Sequence, residues 1–176
     1  LDEAEGSFMQ AIAMKSHYAE AHNNLGITLQ GLGRLDEAYA SCRQAIALKP
    51  DYAEAHGNLG VSLKELGRLN EAQTSLRQAI ALKPNIPEAH YNLGITLQEL
   101  GKLEEAETSY REAIALNPTY TKAHDFLLWC LYLLDKKSLF FNELDYLISQ
   151  DKASAVIGSF TCRSALKYGI EKPNIF

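Results

Sequence analysis

Ala19-Glu20-Ala21-His22-Asn23-Asn24-Leu25-Gly26 and, 34 residues later, Ala53-Glu54-Ala55-His56-Gly57-Asn58-Leu59-Gly60 decide the fold. The motif returns as Pro87-Glu88-Ala89-His90 followed by Leu93-Gly94, and in weaker form as Thr121-Lys122-Ala123-His124. Other columns keep the same step: Ala38, Ala72 and Ala106; Pro50, Pro84 and Pro118. A period of this length marks a chain built from one supersecondary unit stacked on copies of itself.

Two helices are legible within each unit. Leu25, Leu29 and Leu32 share a helical face that ends at Gly33. A second face runs from Leu35 through Ala38, Cys42, Ala45, Ile46 and Leu48, and Pro50 closes it. Asp51-Tyr52-Ala53-Glu54 reads as a capping box opening the next helix, and Asn85-Ile86-Pro87-Glu88 repeats it with Pro87 in the first turn. Gly26 and Ala38 fall where the two helices should cross closely. One such hairpin leaves an apolar face uncovered, and only stacked neighbours bury it.

These columns together resemble the tetratricopeptide repeat, over about residues 1–135. The resemblance implies an all-α, right-handed α-solenoid of antiparallel helix pairs. It divides the chain into a second helix of a truncated repeat at 1–18, repeats at 19–52, 53–86 and 87–120, a divergent helix pair at 121–150 and a C-terminal capping helix and tail at 151–176. Two departures stand out. A histidine, not the family's large aromatic, holds the fourth repeat position at His22, His56, His90 and His124, and Ser16 stands where the other repeats end in Pro. After His124 the pattern decays, with Leu128 in place of the expected Gly. Asp135-Lys136-Lys137 reads as a turn, Ser138 to Ser149 as a helix with Phe140, Leu144, Leu147 and Ile148 inward, and Ala153 to Tyr168 as a last helix with Val156, Ile157, Phe160 and Leu166 inward.

Composition narrows the function. The 176 residues carry a net charge of −5, which disfavours nucleic acid, since phosphate binding needs clustered Lys and Arg. The longest apolar run, Phe126–Leu134, is about half of what a membrane span requires. The acidic start, Leu1-Asp2-Glu3-Ala4-Glu5, has no apolar signal core. Cys42, Cys130 and Cys162 are far apart and odd in number, which reads as free thiols in a reducing, cytoplasmic compartment. The absence of an initiator Met suggests a piece of a larger protein.

Chemistry is hard to find. Four histidines spaced one repeat apart form a line, whereas a zinc site needs donors converging within about 2.0–2.3 Å of one point; they read as packing residues between helices. Gly94 to Gly101-Lys102 has the wrong spacing for a phosphate loop, with Leu103 where Ser or Thr is needed. Gly31-Leu32-Gly33 ends a helix and is no dinucleotide fingerprint. Asp36-Glu37 and Glu104-Glu105 sit in first turns, where carboxylates complement the helix dipole. Cys42 falls on an apolar face. The expectation is therefore a non-enzyme with no metal and no cofactor.

In the family the first helix of each repeat lines a concave face. The resemblance places there Glu20, Asn24, Ile27 and Gln30; Glu54, Asn58, Val61 and Lys64; and Glu88, Tyr91, Asn92, Ile95 and Gln98. Asn24, Asn58 and Asn92 form a ladder similar to that of the O-linked N-acetylglucosamine transferases, each amide able to donate to and accept from a peptide backbone. Chaperone-binding members instead clamp a terminal carboxylate with Lys and Arg; the matching positions here are Asn23, Gly57 and Tyr91, so that clamp is missing. The row Glu20, Glu54, Glu88 fits either a basic or polar ligand or helix capping. The expected function is a protein-interaction scaffold gripping an extended peptide. Two rivals are a targeting module of a larger enzyme, for which the segment Lys167 to Pro173 resembles a linker, and a self-associating module exposing its first helix, Glu3 to Met14, with Phe8 and Ile12 uncovered.

Overall fold

The computed structural model describes residues 2–14 and 18–149. Among these residues the chain is an all-α solenoid: α1 (Asp2–Met14), α2 (Ala19–Gly31), α3 (Leu35–Leu48), α4 (Ala53–Glu65), α5 (Leu69–Leu82), α6 (Pro87–Glu99), α7 (Leu103–Leu116), α8 (Thr121–Leu133) and α9 (Lys137–Ser149). The last helix expected from Ala153 to Tyr168, with its inward Val156, Ile157, Phe160 and Leu166, lies outside the described residues, as do Ser16, Cys162 and the segment Lys167 to Pro173. No described helix is long and apolar enough to cross a membrane.

Each helix packs most extensively on its partner within a repeat, α2 on α3, α4 on α5 and α6 on α7, and next on the following repeat. Helices α2, α4, α6 and α8 also touch one another in series, while α3, α5 and α7 do not to the same extent. The even-numbered helices therefore line the inside of the curve. Small residues set the spacing between partners. Ala38, Ala72 and Ala106 are fully buried. A Cβ added at Gly26 would stand 2.6 Å from Cys42 Sγ, and one at Gly60 would stand 2.5 Å from Leu76 Cγ. At Gly94 it would strike the Tyr110 ring. Cys42, Leu76 and Tyr110 themselves recur at the 34-residue step, so the knob facing each glycine enlarges along the stack. At the fourth unit Leu128 occupies the glycine column and is fully buried. There α8 and α9 pack less extensively than the regular pairs, as a filled crossing point requires.

The helix ends correct one expectation. Asp51 and Asn85 do not cap. The chain stays extended through Tyr52 (φ −81°, ψ 88°) and Ile86 (φ −103°, ψ 102°), which become the residues before the first helical turn, and neither makes a side-chain cap. The capping-box pattern is thus out of register with the helix it seemed to open. C-terminal ends follow the expected rule: Gly33, Gly67 and Gly101 adopt φ of 73°, 74° and 74°, and Asp135 takes the left-handed geometry at φ 56° in their place.

Histidines hold the turns. His56 and His90 hydrogen-bond through Nε2 to the carbonyls of Pro50 and Pro84, at 3.0 and 2.8 Å. His124 does the same with Pro118 at 3.1 Å, and its Nδ1 meets Glu143 of α9. Each ring thus ties a helix to the turn before it. Among the described residues no group of three His, Cys, Asp or Glu side chains is arranged to hold a metal ion. Cys42 and Cys130 are buried and unpaired, and burial pushes their thiols up to about 12 and about 11. At α1, Phe8 and Ile12 are half-buried rather than bare, while Met9 is 56% exposed. Arg34 anchors this helix through Glu5 at 2.8 Å.

Candidate binding groove

The inner faces of α2, α4 and α6 enclose a groove of about 410 Å³, within the range of about 300–1,000 Å³ usual for ligand pockets. Its lining includes Asn24, Asn58, Asn92, Glu54, Glu88, Ile27 and Val61 of the residues singled out in the sequence. Ile27 is 46% exposed, large for an apolar side chain facing water. Asn23 and Gly57, the positions of the missing clamp, also line it, and the rest of the lining, Tyr52, Ala53, Ala79, Ile86 and Ala89, was not expected from the sequence. Tyr52 and Ile86 come from the extended residue before each inner helix. Their 34-residue spacing, shared with Tyr18 and Tyr120, was the available signal.

The three asparagines are not equivalent. Asn58 Nδ2 donates to Asn23 Oδ1 at 2.9 Å. Asn23 is itself buried and faces the Tyr52 hydroxyl, so Asn58 is half committed to joining α4 to α2. The Asn24 and Asn92 side chains make no hydrogen bond with other described residues; only their main-chain carbonyls are engaged, by Thr28 Oγ1 at 3.0 Å and Thr96 Oγ1 at 2.8 Å. Both amides therefore keep their donors and acceptor for a ligand.

Other expected residues are used elsewhere. Gln30 Nε2 donates to the Asn58 carbonyl and to Ser62 Oγ, both at 2.7 Å. Gln98 Oε1 accepts from the Tyr110 hydroxyl at 3.0 Å. Tyr91 stands in an aromatic cluster with Tyr120 (5.1 Å between centroids), Phe126 (5.5 Å) and Tyr110 (6.3 Å), and Ile95 packs on the same core. Lys64 and Glu20 lie outside the groove lining.

The carboxylates also differ. Glu54 pairs with Lys83 at 2.8 Å; that ammonium and the residue's own N–H hold its carboxyl below the usual range. Glu20 is 4.0 Å from Lys49. Glu88 forms no ion pair with a described residue. On the outer face a second depression of about 360 Å³ lies between α3 and α5, lined by Tyr39, Arg43, Leu59, Leu63, Asn70, Glu71, Thr74 and Ser75. Its polar groups are largely used: the Tyr39 ring lies 4.7 Å from the Arg68 guanidinium and its hydroxyl accepts from Arg43 at 3.2 Å.

Comparison with known proteins agrees with this architecture. Models described as tetratricopeptide repeat match residues 19–52, 87–120 and 41–74, and one described as TPR repeat matches residues 62–101. No curated protein sequence matches the chain. Among solved structures, a mutant of the Thermobaculum terrenum O-GlcNAc transferase is 34% identical, covers 64% of this chain and 22% of its own, and gives a TM-score of 0.62. YrrB, described as a TPR protein with an unusual peptide-binding site, is 23% identical with a TM-score of 0.78, covering 94% of this chain and 86% of its own. The first TPR of Spaghetti, bound to an HSP90 peptide, is 23% identical with a TM-score of 0.65, covering 66% and 93%.

Proposed function

The chain belongs to the tetratricopeptide repeat family, and from that premise we propose that it is a non-catalytic protein-interaction scaffold whose inner groove holds an extended peptide segment of a partner. The observation that carries this reading is the pair of unengaged amides, Asn24 and Asn92, flanking one groove with an apolar floor of exposed Ile27 and half-buried Val61. Each amide offers two donors and an acceptor, which suits a peptide backbone in extended form.

Magnitudes assign the shares. A net hydrogen bond contributes about 0.5–1.5 kcal/mol, and micromolar affinity needs about 8 kcal/mol. Two or three amides fall short, so Ile27, Val61, Tyr52 and Ile86 supply the rest by losing water. The missing Lys and Arg clamp argues against a terminal carboxylate, and the groove carboxylates favour a basic or polar segment. Thiols buried without a disulfide fit a reducing, cytoplasmic setting.

Selection of a phage-displayed random dodecapeptide library against the whole chain tests the reading. The expected result is a family of linear peptides whose binding is lost when Gly57→Trp fills the groove. Enrichment insensitive to Gly57→Trp overturns it. The likeness to part of a much longer O-GlcNAc transferase favours a second reading of the same surface, as the targeting module of a larger enzyme. The exposed Met9 on α1 favours self-association, which light scattering across concentration measures directly.

A further inference from the structure

The three repeats differ in one internal cation, and the difference predicts what the partner must bring. In the first repeat Lys49 stands between two groups: its ammonium is 4.0 Å from the Glu20 carboxylate and 4.9 Å from the centre of the Tyr52 ring. In the second repeat Lys83 takes the same position and pairs with Glu54 at 2.8 Å, with Ile86 in place of the ring. In the third repeat the carboxylate, Glu88, and the ring, Tyr120, are both present, but the residue at the lysine position is Asn117. Its amide oxygen accepts from the Thr119 N–H at 3.1 Å and from the Thr119 hydroxyl at 2.8 Å, so it closes its own turn.

Glu88 and Tyr120 hold the positions that Glu20 and Tyr52 hold on either side of Lys49 in the first repeat. Burial, with the nearby Tyr91 and the Glu88 charge, pushes the Tyr120 phenol up to about 12. Glu88 also lines the groove, and the Tyr120 ring, packed on Tyr91 at 5.1 Å between centroids, stands just beyond that lining. Lys122 holds the position of Glu88 in the next repeat, but it is outside the groove lining and forms no ion pair with a described residue. The third repeat thus has two sides of a cation seat that the first repeat fills from within.

We propose that a lysine or arginine of the bound peptide occupies this seat, against Glu88 and the Tyr120 ring, and so fixes which part of the peptide meets the third repeat. The inference rests on the groove reading above and refines it. A carboxylate supplies a charge-assisted hydrogen bond, and the ring face adds a cation–π contact. Asn92, on the same helix as Glu88, would then engage the adjoining main chain.

The probe is a groove-dependent dodecapeptide from the library, synthesised with lysine at its basic position and again with acetyl-lysine there. Titration against the wild-type chain should favour the lysine form by roughly tenfold, the value of one charged hydrogen bond. That preference should fall below about twofold in Glu88→Gln. It should fall equally in Asn117→Lys, which restores the internal cation of the other repeats and so introduces only a residue the fold already accepts there. Glu112→Gln, on the exposed side of α7 and outside the groove lining, should leave it intact. A preference that survives both Glu88→Gln and Asn117→Lys overturns the proposal. So does selection of groove-dependent peptides with no basic residue, although the groove reading then stands. Peptides indifferent to the groove sink both.

Discussion

Gly60→Leu should lower the melting temperature by roughly 6–12 °C. Gly60 is buried in α4, and even a Cβ there would stand 2.5 Å from Leu76 Cγ and 3.0 Å from its Cδ2. Leu76 is itself fully buried and walled by core, so it has no open direction in which to move. A whole leucine side chain must drive α4 and α5 apart. Overpacking of this kind costs about 1–3 kcal/mol and sometimes more. The better helix propensity of leucine returns at most about 1 kcal/mol, and each net kcal/mol moves the midpoint of a domain this size by about 2–4 °C. With Leu76 unable to move aside, the cost lies above that common range, at about 4 kcal/mol gross, which leaves about 3 kcal/mol net. Gly57→Ala, on the same helix, is the control: its Cβ would meet only Ala79 Cβ at 3.9 Å, so it should hold or slightly raise the midpoint. Combining Gly60→Leu with Leu76→Ala should recover part of the loss. An unchanged midpoint in Gly60→Leu would show that the crossing geometry is wrong.

The second large effect falls on binding. Alanine at Asn24 and Asn92 together should weaken a groove peptide by about 1–3 kcal/mol, two net hydrogen bonds' worth, and leave stability within about 0.5 kcal/mol. Neither side chain is engaged by another described residue, so nothing internal is lost. Asn58→Ala is expected to behave differently. It removes the donor to the buried Asn23 oxygen, and an orphaned buried acceptor costs about 1–3 kcal/mol. Calorimetric titration and thermal unfolding of the two variants separate the cases. Stability falling in the Asn24/Asn92 variant while affinity holds would make the ladder a structural one.

The contrast among these asparagines shows where sequence reading stops. The period revealed the helix pairs because packing repeats with it: Gly26, Gly60 and Gly94 face Cys42, Leu76 and Tyr110 at one fixed offset. The family resemblance, not the period, pointed Asn24, Asn58 and Asn92 to the inner face. Neither revealed which side chains were already spoken for. Gln30 finds its acceptors 28 and 32 residues away, in the next repeat, and no pattern within one unit encodes that. Tyr91 was claimed by Tyr120 and Phe126, and Ile95 by the core they adjoin; Phe126 belongs to the part of the chain where the repeat decays. The capping-box reading of Asp51 and Glu54 failed for a local reason: Tyr52 stays extended, and the helix starts at Ala53. Its carboxylate is instead taken by Lys83. The cation missing at Asn117 was visible in the alignment of the repeats, but it gained meaning only once Lys49 and Lys83 were seen paired.

The central claim is that a peptide lies in the inner groove with its backbone on the asparagine amides. An NMR titration of the labelled chain with a selected dodecapeptide tests it most directly, because side-chain NH₂ resonances report each amide separately. The account predicts that the largest shifts fall on the side-chain NH₂ groups of Asn24 and Asn92 and on the main chain of α2, α4 and α6, with α3 and α5 nearly silent. Shifts confined to the outer depression around Asn70, Thr74 and Ser75, with the Asn24 and Asn92 amides unmoved, would contradict it.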